Sequence, residues 1–255
     1  MWNPEQYRRY RDERSRPFFE LLAQVDAPDA RTIADLGCGP GELTATLLER
    51  WPNARIYGVD NSAEMLAAAA QFAIPGRLSF ELADAATWQP PAPLDLLISN
   101  ATLHWLPNHD TLLPRLVSLL APHGVFAFQV PGNFDQPSHT ILKQIRTSPR
   151  WAAKVGWGAD RSAASQSPAW YFELLTGLGM KVNAWETTYL HVLQGEDAVL
   201  EWAKGTALRP VVAVLNAEEQ AEFTVEYAAR LREAYPHREY GTLLPFRRIF
   251  VVASK

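Results

Sequence analysis

The chain has 255 residues, 47% of them hydrophobic and 20% charged, which is the length and composition of one globular domain carrying insertions. A net charge of −4 and a pI near 5.9 lack the basic footprint of a nucleic-acid binder, so no DNA or RNA partner is expected. The single cysteine, Cys38, excludes an intrachain disulfide and a cysteine-held zinc; with no signal-like or membrane-length apolar run, a cytoplasmic protein without a membrane partner is expected.

Residues 4–25 mix Arg8, Arg9, Arg11, Arg14 and Arg16 with Asp12 and Glu13 before turning apolar at Phe18, and this predicts an N-terminal helix within a leading segment 1–30. Over 31–131 short apolar runs alternate with helical patterns. Strands are predicted at 32–36, 56–59, 78–82, 94–98 and 125–130, with helices at 41–51, 62–72 and 109–121. Such alternation predicts a parallel sheet of βαβ units, an α/β fold. Asn61 with Glu64, and Asn216 with Glu219, have capping-box spacing. Residues 132–168, rich in Ser, Pro, Gly, Trp and Arg, read as a long loop or cover. A helix at 168–178, a strand at 180–190, helices at 196–204 and 216–235 and a last strand at 249–253 follow. One domain is expected, with 31–131 as its binding core and 132–168 and 191–246 as covering insertions.

The stretch Asp35-Leu36-Gly37-Cys38-Gly39-Pro40-Gly41 leaves a buried strand, turns on three glycines and enters a helix, so a ligand or another backbone must approach it closely. The G-x-G-x-G spacing departs from the dinucleotide fingerprint G-x-G-x-x-G, and the continuation Glu42-Leu43 lacks the Lys-Ser/Thr of a phosphate loop. Asp60, 19 residues beyond Gly41 at the tip of the second strand, can accept both hydroxyls of a ribose. Asp84, after the third strand, can accept from an adenine amino group.

These elements resemble the class I methyltransferases: the Asp35–Gly41 loop is similar to their first motif, Asp60 to the second and Asp84 to the third. The resemblance implies a Rossmann-like seven-stranded sheet with helices on both faces and an antiparallel last strand. It implies S-adenosylmethionine as cofactor, with the loop beside its amino-acid part, Asp60 on the ribose, Asp84 and Ala85 at the adenine and Met65 near the base. Cofactor contacts are accordingly expected at Asp35, Gly37, Cys38, Gly39, Asp60, Asn61, Met65, Asp84, Ala85 and Asn100. The chain resembles more closely still, from end to end, the trans-aconitate methyltransferases: Trp2-Asn3-Pro4, Tyr7 and Arg16-Pro17 near the start, Trp105-Leu106-Pro107, Gln129 with Pro131 and Asn133, Thr187-Thr188-Tyr189, and Leu208-Arg209-Pro210. Glu42, His104 and Gly132 stand where that family usually has asparagine, glutamine and aspartate.

The resemblance implies methyl transfer to a carboxylate of a small polycarboxylic acid. The sulfonium methyl is already activated, so alignment is the main task, and good alignment can supply roughly 7 to 11 kcal/mol. A carboxylate is ionised at neutral pH, so neither a metal nor a general base is required. Arginine forks suit a polyacid; Arg209 and Arg248, which match the family pattern, are expected to bind it. Tyr7 and Arg16 are expected to help close the site, Trp105 to wall it and Gln129 to hydrogen-bond the acceptor. His104 is a candidate base for an alcohol or phenol acceptor. Alternatives are a carrier-bound acid, another small molecule, or a non-catalytic S-adenosylmethionine-binding protein. A monomer is favoured.

Overall fold

The structure, a computed structural model, describes residues 11–158, 160 and 164–255. Strand β1 (Thr32–Leu36) is buried along nearly all its length, as a strand covered on both faces must be, and so reads as an apolar run rather than an alternation. Parallel to it lie β2 (Arg55–Asp60) on one side and β4 (Leu94–Asn100) on the other; β3 (Leu78–Leu82) pairs with β2 and β5 (Leu120–Pro131) with β4. The sheet then turns antiparallel through β8 (Gly241–Ser254) and β6 (Lys181–Leu193). The order is β3-β2-β1-β4-β5-β8-β6, and the two-residue strand β7 (His237–Arg238) pairs with β8 as an eighth member. Strand order reverses direction between β1 and β4, the switch point outside which ligands bind in such sheets.

Alternate residues along the strands feed two cores. On one face Ile33, Ile56, Leu96 and Ile98 pack with Phe18 and Leu21 of α1 (Arg11–Ala23) and Leu47 of α2 (Glu42–Arg50). On the other, Ala34, Leu36, Leu97 and Phe126 pack with Leu113 and Leu116 of α4 (His109–Ser118) and Tyr171 and Leu175 of α7 (Pro168–Gly177). Helix α3 (Ala63–Ala69) links β2 to β3. A third core lies off the sheet. It joins α5 (Pro137–Arg146), α6 (Ala152–Val155), α8 (Ala198–Lys204), α9 (Arg209–Val212) and α10 (Ala217–Ala234) through Ile145, Trp151, Trp202, Val211 and Phe223, together with Leu244 and Phe246 of β8.

Several sequence expectations change here. The stretch 132–168, read as loop, carries α5 and α6, because Ile141, Leu142 and Ile145 form a helical apolar stripe that Ser and Pro obscure. The last strand starts at Gly241 rather than 249: Pro245 and the arginines hide it, yet it pairs with β6 from Thr242 to Ser254. Asn216 and Glu219 form a reciprocal capping box at 3.0 and 3.2 Å. Asn61 does not cap α3. Ser62 does, accepting from the Met65 N–H at 3.3 Å, because the Asp60 carboxylate has already taken the Ser62 N–H at 2.9 Å.

Candidate functional site

One cavity of about 1120 Å³ runs from the tips of β1, β2 and β4 to the helices of the third core. At the sheet end the glycine loop forms its floor. Gly37 and Gly41 have φ of +78°, the left-handed region that disfavours other residues. A Cβ on Gly37 would fall 1.9 Å from Thr102 Oγ1, and one on Gly41 would strike the Phe80 ring at 2.8 Å. A Cβ on Gly39 would meet nothing within 4 Å, so that backbone stands open to the cavity.

Carboxylates ring this end. Asp60 Oδ2 accepts from the Gly39 N–H at 2.9 Å, so the acid that faces the cavity also fixes the loop. Asp35 is fully enclosed and accepts from Thr44 Oγ1 at 2.6 Å. Burial raises its carboxyl to about 6, opposed by the Thr44 bond and assisted by the charge of Asp60. Burial, with Asp35 and Asp60 nearby, also pushes the Cys38 thiol upward, so Cys38 lines the cavity as a small neutral group. Asp84 Oδ1 accepts from the Ala86 N–H at 2.8 Å, closing a turn at the tip of β3. Asn61, Met65, Asp84, Ala85 and Asn100 line the same wall, and Asn100 Oδ1 is buried with no hydrogen-bond partner among the described residues.

The far end carries cations and aromatic rings, together with the carboxylates of Asp135 and Asp160. Arg248 on β8 and Arg209 at the start of α9 both line it. Arg248 is buried, with its guanidinium 4.7 Å from the centre of the Phe246 ring. His104 and Trp105 occupy the short turn after β4, their rings 4.8 Å apart, and stand between the two ends; Trp105 is half exposed. Asn133 reaches the cavity with a buried Oδ1 that has no partner among the described residues.

Two expected acceptor contacts lie elsewhere. Gln129 is wholly buried and outside the cavity wall; its Oε1 accepts from Arg248 Nη1 at 3.0 Å, so it touches the arginine rather than the space. In the sheet register residue 129 lies between Asn100 of β4 and Phe250 of β8. Arg16 is also off the cavity wall: it pairs with Glu20 at 2.6 Å and lies 4.8 Å from the centre of the Tyr189 ring. Tyr7 falls outside the described residues. Conversely, Thr102 and Asn133 gave no chemical signal in the sequence. Trp202 of α8 and Tyr227 of α10, which sequence reasoning did not single out, pack as core and also form part of the cavity wall. Arg146 lines the cavity too, but its guanidinium bonds the carbonyls of Val155, Trp157 and Gly158 and so braces the loop after α6.

Comparison with known proteins adds the following. A family model described as a methyltransferase domain matches residues 33–124. Trans-aconitate 2-methyltransferase of Streptomyces avermitilis is 54% identical over all of this chain and 97% of its own length. The protein of that name from Streptomyces coelicolor is 49% identical over all of this chain and 86% of its own. Among solved structures, an S-adenosylmethionine dependent methyltransferase from Mesorhizobium loti superposes with a TM-score of 0.52 at 20% identity, covering 93% of this chain and 96% of the other, a likeness of fold.

Proposed function

The chain belongs to the trans-aconitate 2-methyltransferase family, and from that premise we propose that it transfers a methyl group from S-adenosylmethionine to a carboxylate of trans-aconitate, giving a methyl ester. The observation that carries this reading is one continuous cavity that joins the glycine loop and the strand-tip acids Asp60 and Asp84 to Arg209 and Arg248. The sheet end fits the cofactor in its own right: an open backbone at Gly39, a buried acceptor at Asn100 with no partner among the described residues, and a strand-tip acid at Asp60. When bound, the cofactor supplies an electrophilic methyl on a cationic sulfur.

The protein's own task is placement. Asp60 would hold the ribose hydroxyls, Asp84 and Ala85 would border the adenine, Met65 would pack near the base, and Asp35, Gly37, Cys38, Gly39, Asn61 and Asn100 would complete the cradle. Arg209 and Arg248 hold carboxylates of the acceptor that do not react, each by a planar fork suited to two oxygens. The reacting carboxylate is ionised at neutral pH, so no residue need remove a proton. His104 and Trp105, between the ends, shield it from water that would blunt its nucleophilicity. Residues 31–131 thus form the cofactor core, and 132–168 with 191–246 the acceptor cover. Among the described residues no helix is long and apolar enough to cross a membrane.

Incubating the protein with S-adenosylmethionine and trans-aconitate should release S-adenosylhomocysteine and yield a base-labile ester of the acid. Turnover confined to an alcohol or phenol would sink this reading and make His104 the candidate base.

A further inference from the structure

Asn133 stands just past the tip of β5, in the connection to α5. Its backbone is held without help from its side chain. Gly132 before it exchanges two hydrogen bonds with Arg247, donating its N–H to the carbonyl at 2.9 Å and accepting from Nε at 2.6 Å. The carbonyl of Asn133 accepts from the Gln136 N–H at 3.1 Å, so main chain closes the turn into α5. Elsewhere in this fold, short polar residues at turns and helix starts bond the backbone through their side chains, as Asp84, Ser62 and Asn216 do. The Asn133 oxygen bonds nothing of the kind.

The side chain is enclosed all the same. Asn133 is only 3% exposed, and its Oδ1 is buried with no hydrogen-bond partner among the described residues. An amide oxygen left unbonded in the interior costs stability that an apolar side chain of the same shape would not. The residue also lines the cavity. With Oδ1 shut in by protein, the polar group left to meet that space is the Nδ2 amino group, which carries two hydrogens to donate. A donor of that kind suits an anion.

Position narrows the choice of ligand. Pro131, two residues earlier, is the register partner of Arg248. Phe134, next in the chain, has its ring 6.1 Å from that of His104, in the turn between the two ends of the cavity. The acids Asp35, Asp60 and Asp84 belong instead to β1, β2 and the tip of β3, on the other side of β4 in the sheet order. Asn133 therefore borders the acceptor's half of the cavity.

We propose that Asn133 is a specificity-determining residue that binds the acceptor directly, its Nδ2 donating to an oxygen of one carboxylate of the acid. The unbonded amide is then a structural cost that substrate recognition explains. This rests on the acceptor reading given above.

The test uses the full chain as wild type, Asn133→Leu and Asn133→Asp. Initial rates are measured against trans-aconitate at saturating S-adenosylmethionine, and S-adenosylhomocysteine binding is measured by calorimetry. Leucine keeps the branched shape and removes the unbonded oxygen, so the denaturation midpoint should match or exceed that of wild type. Its KM for trans-aconitate should rise roughly ten- to a hundredfold, the range for losing one hydrogen bond to a charged group, with the S-adenosylhomocysteine Kd within about twofold of wild type. Asn133→Asp sets a carboxylate against a carboxylate and should raise KM further still. Itaconate, mesaconate and (Z)-glutaconate each lack a different carboxyl group of trans-aconitate. As inhibitors, two of them should be weakened by Asn133→Leu as trans-aconitate is, whereas the third should bind both proteins within about twofold, because the group that Nδ2 holds is already missing. If Asn133→Leu does not fold, Asn133→Ala replaces it in the same measurements. A KM within about twofold of wild type in a folded variant, an equal change for all three dicarboxylates, or an equal loss of S-adenosylhomocysteine affinity overturns the proposal. Wild type that binds S-adenosylhomocysteine but leaves trans-aconitate untouched overturns the functional reading and this proposal together, whereas wild-type turnover with a silent Asn133→Leu overturns this proposal alone.

Discussion

The two ends of the cavity are built by opposite methods. At the sheet end, a run of seven residues from Asp35 to Gly41 supplies the loop, and one strand tip, Asp60, ties it down at Gly39. At the far end, Arg209 comes from a short helix of the third core and Arg248 from the last strand, hydrogen-bonded to Gln129 more than a hundred residues earlier in the chain. The first end is a local motif held in a backbone conformation that glycine adopts freely and other residues do not. The second is a distributed one, in which no short segment contains the site. The lesson is that cofactor binding should fail abruptly on small local changes, while acceptor binding should fail in degrees and leave the cofactor site intact.

The sharpest way to break that contrast is Gly37→Ala. A left-handed alanine costs about 1–2 kcal/mol, and its Cβ would fall within 2.5 Å of three atoms of Thr102, so the loop must shift. S-adenosylhomocysteine affinity should fall at least roughly 100-fold by calorimetry, with most of the fold retained. Arg248→Ala should do the reverse. Losing a buried, hydrogen-bonded cation costs about 2–5 kcal/mol, so the KM for trans-aconitate should rise roughly 30-fold or more while S-adenosylhomocysteine binds as in wild type. Equal loss of both affinities in either variant would erase the distinction between the ends.

Asp35→Asn sharpens the comparison by measuring what the sheet end costs the fold. The folded protein holds the Asp35 proton up to about 6, against an ordinary value of 3.8. Between those values the native state binds more protons than the unfolded chain, so this group costs nothing below about 4, destabilises increasingly as pH rises through that window, and carries its full penalty above about 6. Asparagine can still accept from Thr44 and carries no charge. It should stabilise the protein by about 1–3 kcal/mol at pH 7.5 in denaturant unfolding, the gain fading between pH 6 and 4, while S-adenosylhomocysteine binding weakens. The smallest effect is expected in the third core, where Asn216→Ala removes one half of the α10 cap and should cost about 1 kcal/mol without moving either affinity.

What could be read from the sequence follows the same division. The glycine spacing, Asp60 and Asp84 mark the sheet end because each is a departure from apolar texture at a strand tip, and all ten positions expected there line the cavity. The parallel strands were legible for the same reason, as short buried runs between helices. The far end was legible only in part. Arg209 and Arg248 stood out through family likeness, but a sequence does not show whether a polar residue in a strand faces a cavity or a neighbour, so Gln129 was expected to meet the acceptor directly. Arg16 was drawn away by Glu20 and Tyr189, a contact that depends on how α1 lies across the sheet. Helices α5 and α6 were missed because their apolar stripe serves a core formed mainly by residues 198–246, invisible from local composition.

Strand β8 touches every part of this arrangement. Leu244 and Phe246 belong to the helical core, Ile249 and Val251 to one face of the sheet, and Phe250 and Val252 to the other. Arg248 stands where those memberships change over. A strand is stiff along its length, so a guanidinium mounted at that point is gauged against both halves of the protein at once. The place of that guanidinium on the cavity wall is thereby set by the geometry of one strand that both the sheet and the helical core share.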